Sequence, residues 1–214
     1  MILGASGSGK SASLRNFEPD KVGLFNVAGK PLPFRSKIKS VDGDDPAKIA
    51  AQMRSAKAKS LVIDDSQYVM ANEFMRRADE KGFQKFTDIG KNFWSLIRSV
   101  KDLPPDTIVY FLQHTESDAD GREKAKTIGK MLDEKITVEG LFTIVLKAVA
   151  VDGMHYFRTK TTGNDPVKAP IGMFGAELID NDLRLVDDTI RDYYGLTTES
   201  GGKGKGDNAK TEKL

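Results

Sequence analysis

Two spacings of apolar residues divide the chain. Short, nearly unbroken apolar runs fill Val22–Val27, Leu61–Ile63 and Thr107–Leu112, as in strands buried on both faces of a parallel sheet. Phe86, Ile89, Phe93, Ile97 and Val100 instead recur every three to four residues, which predicts a helix with one buried stripe. Residues Pro46–Ala56, opened by Asp45, predict a crossover helix, and residues from about Tyr68 to Lys81 predict another, broken at Gly82. Pro104-Pro105-Asp106 stops the long helix and starts the third apolar run. Strands alternating with helices predict an α/β fold, a mostly parallel central sheet with helices on both faces. The opening run Met1-Ile2-Leu3 is shorter than the roughly five residues of a common strand, as expected of a truncated or alternative-start chain.

The pattern changes after His114. Glu116–Lys135 is polar and carries the turn signal Asp120-Gly121, so it predicts a long loop or a mobile hairpin. Phe142–Val151 is joined by Asp152-Gly153 to Met154–Lys160, a strong hairpin signal and hence an antiparallel extension of the sheet. The prolines of Gly29–Arg35 forbid a central strand there. From Glu199 the glycines and lysines offer nothing to bury, which predicts a folded domain over 1–198 and a disordered tail over 199–214.

The chemistry begins with Gly4-Ala5-Ser6-Gly7-Ser8-Gly9-Lys10-Ser11, which fits the phosphate-loop pattern G-x-x-x-x-G-K-[ST] at every constrained position. Small residues let backbone N–H groups curl around phosphates, and a helix running from Ser11 to Asn16 aims its positive end at them. The loop residues Gly4 to Ser11, with Ala12, are thus expected to hold a nucleoside triphosphate. Lys10 would face solvent and reach the β- and γ-phosphates; Ser11 would bind Mg²⁺. Ser60-Leu61-Val62-Ile63 closes on Asp64 and Asp65, so Asp64 is expected to meet the same metal. Asp65 either polarises the attacking water or caps the following helix with Ser66. Gln113 and His114 end the third strand, where ligands of parallel sheets lie, and are candidate γ-phosphate sensors. His155 lies within a strand-like run and is read as structural.

Composition adds boundaries. The chain has 214 residues, 39% hydrophobic and 30% charged, with net charge +2, so any electrostatic site is a local patch. One such patch is Arg122, Lys124, Lys126 and Lys130, a candidate DNA-backbone contact. The sequence has no cysteine, which excludes disulfides and thiolate metal sites and suits a reducing cytoplasm. No apolar run approaches the roughly 20 residues of a membrane span.

Taken together, the Gly4–Ser11 loop with Leu14-Arg15, Gly29-Lys30-Pro31-Leu32-Pro33-Phe34, Ile63-Asp64-Asp65-Ser66-Gln67-Tyr68, His114-Thr115-Glu116 and Ile128-Gly129-Lys130-Met131-Leu132 resemble bacteriophage AAA/RecA-like ATPases, often called phage nucleotide-binding proteins. Gly172-Met173-Phe174 and Ile179-Asp180-Asn181-Asp182-Leu183 extend the resemblance over most of residues 1–195. It implies a RecA-like core that hydrolyses ATP with Mg²⁺ in the host cytoplasm. Related phage proteins are single-strand annealing recombinases that act with a single-strand-binding protein. RecA-like cores also complete their sites across a homo-oligomer interface, which makes Arg158 and Lys160, on the second strand of the hairpin, candidate cations donated in trans. One departure stands out: Asn26-Val27-Ala28 occupies the strand end where RecA proteins place a catalytic glutamate, so water activation falls to Asp65 or stays unassigned. The absence of an Asn-Lys-x-Asp guanine reader favours ATP over GTP. An ATPase acting on a protein partner and a nucleotide or metabolite kinase remain the alternatives.

Overall fold

The computed structural model describes residues 1–196, and the tail expected over 199–214 lies outside them. Strands β1 (Ile2–Leu3), β2 (Val22–Asn26) and β3 (Ser40–Asp42) are followed by helix α1 (Pro46–Ser55) and strand β4 (Ser60–Asp64). Helices α2 (Tyr68–Arg76) and α3 (Gln84–Ser99) precede β5 (Ile108–Gln113). Then come β6 (Thr115–Ser117), β7 (Glu123–Ala125), β8 (Leu146–Val151), β9 (Met154–Arg158), β10 (Leu178–Asp180) and α4 (Leu183–Tyr194). Eight strands form one sheet in the order β10-β9-β8-β1-β5-β4-β2-β3, and β6 pairs with β7 in a second, two-stranded sheet. From β8 through β3 every neighbouring pair is parallel; β9 and β10 add antiparallel strands at one edge. The chain is therefore α/β with a mostly parallel sheet.

Alternation along the strands sends neighbouring residues to opposite faces and so builds two cores. Leu3, Phe25, Leu61, Ile63 and Phe111 meet Ile49, Met53, Ile89, Phe93 and Leu96 of α1 and α3 on one face. Ile2, Leu24, Val62, Tyr110 and Leu112 meet Leu14 and the Leu183, Val186 and Ile190 stripe of α4 on the other. Each such side chain, once fully buried, contributes about 1.5–3 kcal/mol. Asp45 caps α1 by accepting from the Ala47 and Lys48 amides, and Asp182 caps α4 in the same way. Inside the second core Arg191 Nε donates to Asp187 Oδ2 at 2.7 Å, while Ser60 Oγ and Tyr110 Oη donate to Asp187 Oδ1 at 2.9 Å. That cluster fastens α4 to β4 and β5.

The hairpin turn Asp152-Gly153 has φ of 50° and 79°, the left-handed pair that a two-residue turn between twisted strands demands. Of the two expectations for the residues after His114, a long loop or a hairpin, the structure forms a hairpin. It is the short β6–β7 hairpin, followed by a π-helical turn at Met131–Lys135. No helix among the described residues is long and apolar enough to cross a membrane.

Candidate active site

The glycine loop leaves the carboxyl end of β1 in the middle of the sheet. Gly4 is confined there: a Cβ would lie 2.4 Å from Ser8 Oγ and 2.8 Å from the Ala148 carbonyl oxygen. Gly9 has φ of 97°, which L side chains rarely adopt. A 3-10 helix, Ser11–Asn16, follows in place of an α-helix, and at six residues it brings little dipole to the site. Lys10 does not face solvent. It is 5% exposed, and its Nζ donates to the carbonyl oxygens of Gly4 and Ala5 at 2.9 Å each, bracing the loop from within. Burial holds its pKa below the ordinary lysine value, offset in part by Asp65 and Asp64.

Ser11 Oγ donates to Asp64 Oδ1 at 2.9 Å. The two residues predicted to share a metal therefore meet directly, although Ser11 opens the 3-10 helix and Asp64 ends β4. Burial raises the Asp64 carboxyl above its usual range, against the lowering effect of the Ser11 hydrogen bond. Two hard oxygen donors facing a cleft suit Mg²⁺, which keeps most of its shell for water and phosphate oxygens. Asp65 begins the turn into α2 with φ of 55°. Its Oδ2 pairs with Lys30 Nζ at 2.5 Å and its Oδ1 lies 3.1 Å from His114 Nε2. Tyr68 adds its ring edge-on to His114 and beneath Lys30. Burial and the Lys10 charge keep the His114 imidazole below its ordinary pKa, while the Asp65 hydrogen bond raises Lys30.

Gly9, Lys10, Ser11, Lys30, Asp64, Asp65 and His114 line one cleft of about 460 Å³, together with Ser6, Gly7, Ala12, Asn26, Pro31, Pro33 and His155. Glycine-loop amides and such a volume fit a nucleoside triphosphate. His155, read from sequence as structural, projects from β9 over the loop and its Nδ1 lies 3.1 Å from the Ser8 carbonyl oxygen.

Gln113 does not reach this cleft, and Arg158 and Lys160, expected to serve the cleft of a neighbouring copy, lie away from the chain's own. Gln113 is still within β5 and shares the face of Phe111, so it points between sheet and helices. There its Oε1 accepts from Ser66 Oγ at 2.9 Å and its Nε2 donates to the Lys126 carbonyl at 2.8 Å; it clasps the β6–β7 hairpin instead of facing a phosphate. Arg158 and Lys160 are carried away by the direction of β9. His155 is level with Ala150 near the loop, whereas Arg158 is level with Lys147, itself level with Leu3 before the loop begins. Arg158 pairs with Glu177, and Lys160 lies past the end of β9.

Arg122, Lys124 and Lys126 lie on or beside β7 and Lys130 opens the π-helical turn, and the patch is not left unopposed. Ala125 is buried and Glu123 pairs with Lys147, so alternation turns Arg122, Lys124 and Lys126 outward. Lys124, however, is held by Asp133 and lies 3.8 Å from Glu116, and Lys130 lies 3.9 Å from Glu134. Sequence reasoning missed Lys30 and Asn26. The available signal was position: Gly29-Lys30-Pro31 turns directly off the carboxyl end of β2, where ligands of parallel sheets lie.

Comparison with protein-family models finds no match, and comparison with curated proteins finds no similar sequence. The resemblance to phage ATPases rests on the motifs themselves.

Proposed function

We propose that this chain is a Mg²⁺-dependent ATPase with a RecA-like core. The observation that carries the reading is the meeting of Ser11 with Asp64 beside the glycine loop and Lys10. The loop amides and Lys10 bind the β- and γ-phosphates; Ser11 and Asp64 hold the metal, which when bound neutralises charge on phosphate oxygens. Asp65, steadied by His114, faces the same cleft and orients a water against the γ-phosphorus. As the water oxygen bonds to phosphorus, the bridging oxygen departs with its electron pair on ADP, and the water proton passes through Asp65 to solvent. β5, which lies between the glycine-loop strand and the Asp64 strand, supports this reading because its end delivers His114 to the γ-phosphate side.

Hydrolysis serves recombination or annealing of single-stranded DNA in this reading, as the resemblance implies. The route from site to DNA is short: Gln113 and His114 both bond the Lys126 backbone, so the outer basic face of the hairpin hangs on the sensor strand. Phosphate release from ATP, measured with and without Mg²⁺ and with and without single-stranded DNA, tests this. Mg²⁺-dependent release stimulated by DNA is the expected result. Release indifferent to DNA would shift the reading to a protein partner, and transfer to a small hydroxyl compound without water reaction would identify a kinase.

A further inference from the structure

Lys30 is the cation of the cleft to which neither the phosphate-loop pattern nor the Asp64 strand assigns a role. It comes from the connection after β2, and that connection is built to hold it in place. Gly29, at φ of 63°, turns the chain, its amide bonds the Asn26 carbonyl, and the Asn26 side-chain amide donates to the Lys30 carbonyl at 2.8 Å. Pro31 then fixes the next φ. Backbone anchored on both sides presents the Lys30 ammonium across the cleft to Asp65, within 5.9 Å of the Tyr68 ring centre. An ion pair with a partner this exposed, at 63% for the Lys30 side chain, contributes little to stability, so the anchoring has another use.

Resting on the ATPase reading, we propose that Lys30 is a second phosphate-binding cation, supplied in cis, which leaves Asp65 for the γ-phosphate when ATP binds. Two consequences follow from charge alone. Magnesium neutralises only part of a triphosphate, and Lys30 joins Lys10 on the walls of the cleft to offset the rest. Transfer of Lys30 to the phosphate also releases an Asp65 oxygen to accept from water, so the carboxylate becomes available only with the triphosphate present. ADP, lacking the γ-phosphate, leaves the Lys30–Asp65 pair in place. Asn26 is then a positioning residue, acting through the Lys30 backbone. A cation in this place does the work assigned from sequence to Arg158 and Lys160 of a neighbouring subunit.

The test compares parent, Lys30→Ala and Lys30→Arg proteins by calorimetric binding of Mg²⁺–ADP and by steady-state ATP hydrolysis over a range of protein concentrations. Lys30→Ala is expected to lower kcat by about 10²- to 10³-fold, as loss of one donor aimed at developing charge does, with ADP affinity and melting temperature unchanged. Lys30→Arg recovers part of the rate, and the parent rate per molecule does not rise with protein concentration. A Lys30→Ala kcat within about twofold of the parent overturns the proposal, as does loss of ADP affinity equal to the loss of rate. If the parent neither binds ADP nor hydrolyses ATP, it is the ATPase reading itself that falls.

Discussion

Asp64 shows at the residue scale how a site and a fold compete. Its carboxylate is buried and its pKa is raised, so the folded chain is more stable with that group uncharged. Asp64→Asn keeps an oxygen that can accept from Ser11 Oγ and removes the buried charge. The expected outcome is a melting temperature higher by about 2–4 °C, the shift that about 1 kcal/mol gives in a domain of this size, with Mg²⁺-dependent hydrolysis abolished. Calorimetry and a phosphate-release assay on one preparation check both; a lower melting temperature would contradict the argument. Asp65 is constrained differently. Its left-handed backbone is tolerated by Asp and Asn far better than by other side chains, so Asn is the substitution that tests its carboxylate without also straining the turn.

Among the elements, the β6–β7 hairpin depends on Gln113. Replacing Gln113 by Leu removes the hydrogen bond that holds the Lys126 carbonyl, while Ser66 Oγ keeps the Leu112 carbonyl as acceptor; the lost bond is worth about 0.5–1.5 kcal/mol. Amide exchange over residues 115–126 is expected to quicken by up to about tenfold, while α1 and α4 keep their protection. Uniform quickening would mean that Gln113 supports the whole sheet and not the hairpin. The same element marks where sequence reading ran out. β2, β4 and β5 were legible because continuous apolar runs announce strands covered on both faces. β3 is exposed at every residue and β10 has three residues, so neither carries an apolar signature. Gln113 was misassigned by a single position: one residue further it would leave the strand and reach the cleft, as His114 does. The glycine loop and Asp64 were legible because each belongs to a pattern of neighbouring residues, whereas Lys30 has no such pattern and meets Asp65 only through tertiary structure.

For the molecule as a whole, His114 contributes one part of the response to acid. Its folded pKa lies below the ordinary 6.5 because burial and Lys10 disfavour the imidazolium. Between that lowered value and 6.5 the unfolded chain binds more protons, so this contribution to stability is full above 6.5 and is lost as pH falls through the window. Urea midpoints taken from about pH 7.5 down to about pH 5 should therefore fall, and should fall less in His114→Gln; identical slopes would remove His114 from the account. The sheet order carries a further consequence, for synthesis. β1 is two residues long and sits between β5 and β8, while His155 reaches back to Ser8 across 147 positions of sequence. Pairings so distant close late and slowly. On the ribosome, the glycine loop precedes the strands that frame it: its frame is incomplete until the β8–β9 hairpin has emerged, so under the ATPase reading a nascent chain engages nucleotide only after nearly all of its sheet exists.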